Sequence, residues 1–164
     1  MKYAGLLKND FVNGEDVCVS FWVQGCPFHC KGCHNPQTWG FKGGLEATPE
    51  KLIDEVITSI PANGIRRNMS ILGGEPLCPS NVDFVSDLVD AVTSKYPDIK
   101  IFIWTGYEYS ELKDRISNKE LALKNILDKS YMLATGPFKI EERDVSLKYI
   151  GSKNQKVLYK RIDY

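Results

Sequence analysis

The sequence has 164 residues, 43% hydrophobic and 11% aromatic, with 21 Lys and Arg balanced by 21 Asp and Glu. At about 150 residues per domain this length predicts a single domain over 1–164, and the apolar content excludes disorder over most of the chain. A formal net charge of zero gives no overall attraction to nucleic acid phosphates or anionic lipid, so neither is expected as a partner.

Met1-Lys2-Tyr3-Ala4-Gly5 lacks the apolar core of a signal peptide, and no run reaches the ~18 apolar residues of a membrane helix, so a cytoplasmic protein is expected. Val17 to Gln24 is β-branched and aromatic and reads as a strand ended by Gly25. Thr48-Pro49-Glu50 reads as an N-cap, a proline at the first helical position and an acidic first turn, opening a helix through Ile60. Met69-Ser70-Ile71-Leu72 is a short strand running into Gly73-Gly74-Glu75-Pro76, after which Asn81 is placed to cap a helix carrying Phe84, Val85, Leu88, Val89 and Val92 at helical spacing. Lys100 to Trp104 predicts a third strand, with Thr105-Gly106-Tyr107 as its exit turn. Helical segments follow at Tyr109 to Ile116 and Lys119 to Leu127, then a strand at Tyr131 to Ala134. Strands alternating with helices favour a parallel α/β sheet, and 164 residues are too few for a full barrel of about 250, so an open, incomplete (βα) barrel is expected. The tail from Val145 to Tyr164 reads as irregular or antiparallel β.

Cys26, Cys30 and Cys33 stand in the spacing CxxxCxxC, three of the five cysteines within one short loop. Thiolates this close suit a soft metal, which leaves zinc and an iron–sulfur cluster as candidates. A closed zinc site needs a fourth ligand from Cys18, His29 or His34, none at standard finger spacing. A four-iron four-sulfur cluster held by three cysteines keeps one iron open for a substrate, whereas an electron-transfer ferredoxin is weakened by that incomplete ligation. Cys18 and Cys78 read as buried packing residues.

A CxxxCxxC loop followed by Gly73-Gly74-Glu75-Pro76 resembles the radical S-adenosylmethionine (SAM) superfamily. Within it, Trp22-Val23-Gln24-Gly25-Cys26-Pro27, Cys33-His34-Asn35-Pro36-Gln37-Thr38-Trp39, Trp104-Thr105-Gly106-Tyr107 and Gly151-Ser152-Lys153-Asn154-Gln155 are similar to the anaerobic ribonucleoside-triphosphate reductase activating proteins. The resemblance implies an open partial barrel of the radical SAM type and an oxidoreductase whose cluster binds SAM at its vacant iron. Reductive cleavage would give a 5'-deoxyadenosyl radical that places a glycyl radical on the partner reductase. It also implies a low-potential electron donor such as flavodoxin or ferredoxin. An activase for another glycyl-radical enzyme, such as pyruvate formate-lyase, and a non-enzymatic zinc module are the alternatives.

On that reading Cys26, Cys30 and Cys33 are the metal ligands, and Gly32, Cys33, His34, Asn35, Gly73, Gly74, Glu75 and Thr105 contact the cofactors. Gly73 and Gly74 let a methionyl group approach the backbone or simply form a tight turn. Glu75 accepts the substrate ammonium or forms a surface ion pair. His34 and Asn35 touch the adenine or cap the next segment. Thr105, Gly106 and Tyr107 line the same mouth or form a structural turn, and Trp22, Trp39 and Trp104 read as packing. The stretch Tyr131 to Phe138 departs from the family pattern, which has acidic residues at positions 131 and 135, so no site residue is assigned there.

Overall fold

The computed structural model describes residues 1–164. Its strands are β1 (Lys2–Asp10), β2 (Cys18–Val23), β3 (Leu45–Glu46), β4 (Asn68–Gly73), β5 (Ile101–Trp104), β6 (Met132–Thr135) and β7 (Lys156–Tyr159). The four helices are α1 (Pro49–Ser59), α2 (Val82–Lys95), α3 (Tyr109–Ser117) and α4 (Leu121–Lys129). All strands join one open sheet in the order β3-β1-β2-β4-β5-β6-β7. The central four, β2, β4, β5 and β6, run parallel and advance in one direction, with α1, α2 and then α3 with α4 in their crossovers.

The expected parallel arrangement holds for these four central strands, but the sheet as a whole is mixed, because β1, β3 and β7 pair antiparallel at the flanks. The sequence reading missed β1 and β3 altogether. Residues of β1 are half-buried or exposed along most of its length, and register shifts fall between Tyr3 and Gly5 and between Leu7 and Asp10. Such an irregular strand leaves no clean two-residue alternation to detect. β7 fits the antiparallel expectation for the tail.

Alternation along the parallel strands gives the sheet two different faces. Val19, Phe21, Met69, Ile71, Ile101, Ile103 and Leu133 point to one face and form the main core with Leu52, Val56, Leu88, Leu112 and Leu123 from the helices. All four helices thus cover the same face, so truncating one of these leucines to alanine removes packing worth about 2–5 kcal/mol. The other face presents Cys18, Phe102, Met132 and Ala134, packed by Trp104, Tyr149 and Ile150. Two loops rather than helices close that second face. Gly14 lies over Cys18, Ser70 and Phe102, and the Tyr149 hydroxyl donates to the Gly14 carbonyl at 3.0 Å, joining the β1–β2 loop to the C-terminal loop.

Helix starts follow the expected chemistry in one case and depart in another. The Thr48 side chain accepts the Lys51 N–H at 3.3 Å as the cap of α1, an interaction worth about 1 kcal/mol. Asn81 occupies the cap position of α2 but makes no capping hydrogen bond. Its side chain turns back into the site described next.

Candidate functional site

The cysteine loop leaves the C-terminal end of β2 and is held at both ends by backbone and amide bonds. Gly25 N donates to Thr38 O at 2.8 Å and Cys26 N to Trp39 O at 3.0 Å, while the buried Gln24 amide reaches Gln37 O and Gly40 O. Between these anchors the chain turns through positive φ at His29 and Gly32. Gly32 is needed for space as well as conformation, since a Cβ there would come within 2.9 Å of Ile140 Cδ1. Phe28 packs edge-on to Tyr107 at 4.8 Å and lies against Gly106, which docks the loop on the exit of β5.

Next to this loop, β4 pairs with β2 in parallel register, Val23 opposite Gly73, so the glycine turn and the cysteine loop leave adjacent strands. Glu75 N donates to Gly25 O at 2.7 Å, and a Cβ on Gly74 would overlap that same carbonyl. Gly74 is therefore required by backbone packing between the two turns. Gly74→Ala is expected to cost about 1–3 kcal/mol of stability, read as a lower urea midpoint, before any effect on ligand binding is considered.

Glu75 is 1% exposed, so it is not a surface ion pair. Its Oε1 accepts from Leu77 N at 2.9 Å and the Thr105 hydroxyl at 2.7 Å, and Oε2 accepts from Gly106 N at 2.7 Å. Burial pushes the carboxyl up to about 7, with these three donors and the Arg115 guanidinium pulling against it. The Asn81 amide donates to Glu75 O at 3.0 Å and Gln24 O at 3.2 Å. Together these bonds lock the exits of β2, β4 and β5 into one unit.

That unit forms one wall of a cavity of about 1150 Å³ on the face of the sheet away from the helices. Cys26, Cys30 and Cys33 line it, together with Gly32, His34 and Asn35 from the same loop. Gly73, Gly74 and Glu75 line it from the second turn and Thr105 with Gly106 from the third. Tyr107 is not part of the lining. It sits behind the wall between Phe28 and the Arg115 guanidinium, which lies 4.7 Å from its ring centroid. Trp22, Trp39 and Trp104 all face the cavity.

No three His, Cys, Asp or Glu side chains are gathered tightly enough to hold a single metal ion. The three loop thiols instead share the cavity wall, with backbone N–H groups directed at two of them. Asn35 N lies 3.4 Å from Cys33 Sγ, and the N–H groups of Phe28 and His29 oppose the upward push that burial gives the Cys26 thiol. Such donors favour the thiolate form that metals bind. A cluster takes one thiolate on each of several irons, so its ligands need to surround a volume rather than meet at a point. The donor set fits that requirement.

The 4Fe-4S single cluster domain family model matches residues 12–158. The anaerobic ribonucleoside-triphosphate reductase-activating protein of Vibrio cholerae is 36% identical over 156 residues, 94% of this chain and 96% of the relative. Its namesake in Escherichia coli is 33% identical over 162 residues, covering 98% and 100%, and that of Pasteurella multocida is 32% identical over the full length of both. The chain belongs to this activating-protein family. The family match supports an iron–sulfur cluster. No helix is long and apolar enough to cross a membrane.

The departure from the family pattern at positions 131 and 135 lies outside the cavity lining. Tyr131 packs against Phe102 and Tyr159 under the Lys100 ammonium, and Thr135 is buried with its hydroxyl toward Lys156 O. The opposite wall comes from residues the sequence reading left without a role. Gln155 Oε1 accepts from Gly151 N and Ser152 N while its Nε2 donates to Gly136 O, and Asn154 Nδ2 donates to Pro137 O. The Gly151 to Gln155 stretch thus fastens the 136–140 segment, which brings Phe138 and Ile140 to the cavity. Its density of Gly, Ser, Asn and Gln was the available signal.

Proposed function

We propose that this chain is the activase of an anaerobic ribonucleoside-triphosphate reductase. It holds a four-iron four-sulfur cluster on Cys26, Cys30 and Cys33 and binds SAM at the fourth iron. The observation that carries the reading is that every residue assigned to the cofactors from sequence lines one cavity, although they leave three different strands. The fold supports it too. Helices on one face only, with the central strands advancing in a single direction, are the winding expected of a barrel segment, which supports reading the open sheet as a partial barrel of the radical SAM type.

When bound, the cluster supplies the electron that cleaves SAM to methionine and a 5'-deoxyadenosyl radical able to take a hydrogen atom from a glycine of the reductase. The chain's own part is placement and exclusion of water. The backbone of Gly73 and Gly74 leaves room for the methionyl group, and Glu75 Oε2, which takes one donor from the protein, has acceptor capacity left for its ammonium. His34 and Asn35, directly after the last thiolate and in the cavity lining, are the residues that would contact the adenine. The open sheet leaves room for the reductase's glycine-bearing segment to complete the enclosure, and a low-potential flavodoxin or ferredoxin in the cytoplasm supplies the electron.

The test is anaerobic incubation of the cluster-loaded chain with SAM, a strong reductant and a reductase deuterated at glycine. A glycyl radical by electron paramagnetic resonance, with deuterium appearing in 5'-deoxyadenosine, is the expected result. A glycyl radical without label in 5'-deoxyadenosine excludes direct abstraction, and better activation of a pyruvate formate-lyase overturns the partner assignment.

A further inference from the structure

One edge of the sheet is only partly covered. β3 pairs with β1 at Lys2 and Tyr3 alone, and beyond them the outer side of β1 has no strand partner and takes no other backbone hydrogen bond. Open edges are ordinarily blunted by charge, proline or irregular pairing. The far end of β1 is blunted in this way. Lys8 pairs with Glu55 at 3.3 Å, Asn9 Oδ1 accepts from the Arg67 guanidinium, and the pairing with β2 shifts between Leu7 and Asp10. Residues 4–7 carry neither charge nor proline, and all four line the cavity.

Gly5 and Leu7 stand opposite Trp22 and Ser20 and so share the cavity face of the sheet with them. Nothing lies within 4 Å of the place a Cβ would take on Gly5, which leaves room for another chain to approach. Around it Leu7, Val12 and Val145 line the cavity while 47%, 78% and 84% exposed. Large apolar side chains beside a row of unpaired backbone groups match one kind of occupant. An extended polypeptide satisfies the edge with its main chain and meets the apolar rim with alternate side chains, and this pairing needs no charge on either partner. We propose that residues 4–7 are the docking edge for the reductase, whose glycine-bearing segment adds as an extra strand beside β1. The inference rests on the functional reading above and deepens it. An added strand turns every second residue toward the cavity face, which sets the glycine toward the cofactors and extends the sheet on its open side.

Hydrogen–deuterium exchange of the cluster-loaded chain, read by mass spectrometry with and without the intact reductase, tests the contact and needs no variant. Exchange of the outward amides within residues 4–7 should slow by about tenfold or more in the complex. Leu7→Asp places a charge on the apolar rim, and at unchanged iron content it should weaken reductase binding by about tenfold or more. Leu121→Asp, at an equally exposed leucine on α4 outside the cavity, should leave binding unchanged. A complex that forms without slowing at residues 4–7, or that Leu7→Asp forms as tightly as wild type, overturns the proposal. Slowing that appears in the chain alone and grows with its concentration assigns the edge to a second copy and overturns it as well. A cluster-loaded chain that binds no reductase overturns the functional reading and this inference together.

Discussion

Alanine in place of Cys26, Cys30 or Cys33 is expected to abolish iron incorporation and all SAM cleavage, while Cys18→Ala and Cys78→Ala retain both. The structure gives each group a different reason. The loop thiols are half-buried and face one cavity, so with the proposed three-cysteine ligation removing any of them would open a second iron to solvent and oxygen. Cys18 is buried at the start of β2 beneath Gly14, and Cys78 is buried beyond the glycine turn; neither lines the cavity. Alanine there removes a small apolar contact, costing about 1 kcal/mol or little more. Iron and acid-labile sulfide per chain after anaerobic reconstitution, with circular dichroism as the control for folding, reads the difference. Loss of iron from folded Cys18→Ala or Cys78→Ala would show that the ligand set is wrong.

The parallel core was legible because its strands and helices carry local signals. Val19, Phe21, Ile71, Ile101 and Ile103 are apolar runs bounded by glycine or polar turns, and Thr48-Pro49 marks its helix start outright. β1 and β3 gave no such signal. β1 owes its place to pairing with β2, which is a long-range fact, and β3 is two exposed residues pairing with Lys2 and Tyr3. Asn81 illustrates the same limit at a single residue. Its type and position suit a cap, yet the amide is worth more bridging Gln24 and Glu75, which only the fold brings near it.

At the site, residue types in a tight spacing identified the cysteine loop, and strand exits identified the two turns beside it. The reason for Gly74 was not legible, since the carbonyl that forbids a side chain belongs to Gly25, far away in sequence.

Glu75 carries the second large effect, on stability as a function of pH. Its carboxyl lies at about 7 in the fold against an ordinary value of 4.5, the main cause being complete burial. The protonated form is therefore the one the fold favours. Its contribution is fully present below about 4.5 and is lost as the pH rises through about 7, a change on the order of 3 kcal/mol. Urea unfolding of the cluster-free chain from pH 5 to 8 should show this fall. Glu75→Gln keeps the shape and does not titrate, but its amide N–H₂ or its single oxygen must face one donor too many among Leu77, Thr105 and Gly106. The variant should therefore be less stable than wild type at pH 5 by about 1–3 kcal/mol, with the gap narrowing toward pH 8. His29 and His34 are present in both proteins, so their contribution cancels in the difference. Parallel pH profiles would show that Glu75 keeps its ordinary titration in the fold. With SAM placed as proposed in cluster-loaded protein, its ammonium would favour the ionised carboxylate, so saturating SAM should flatten the wild-type slope and leave the Glu75→Gln profile unchanged in shape.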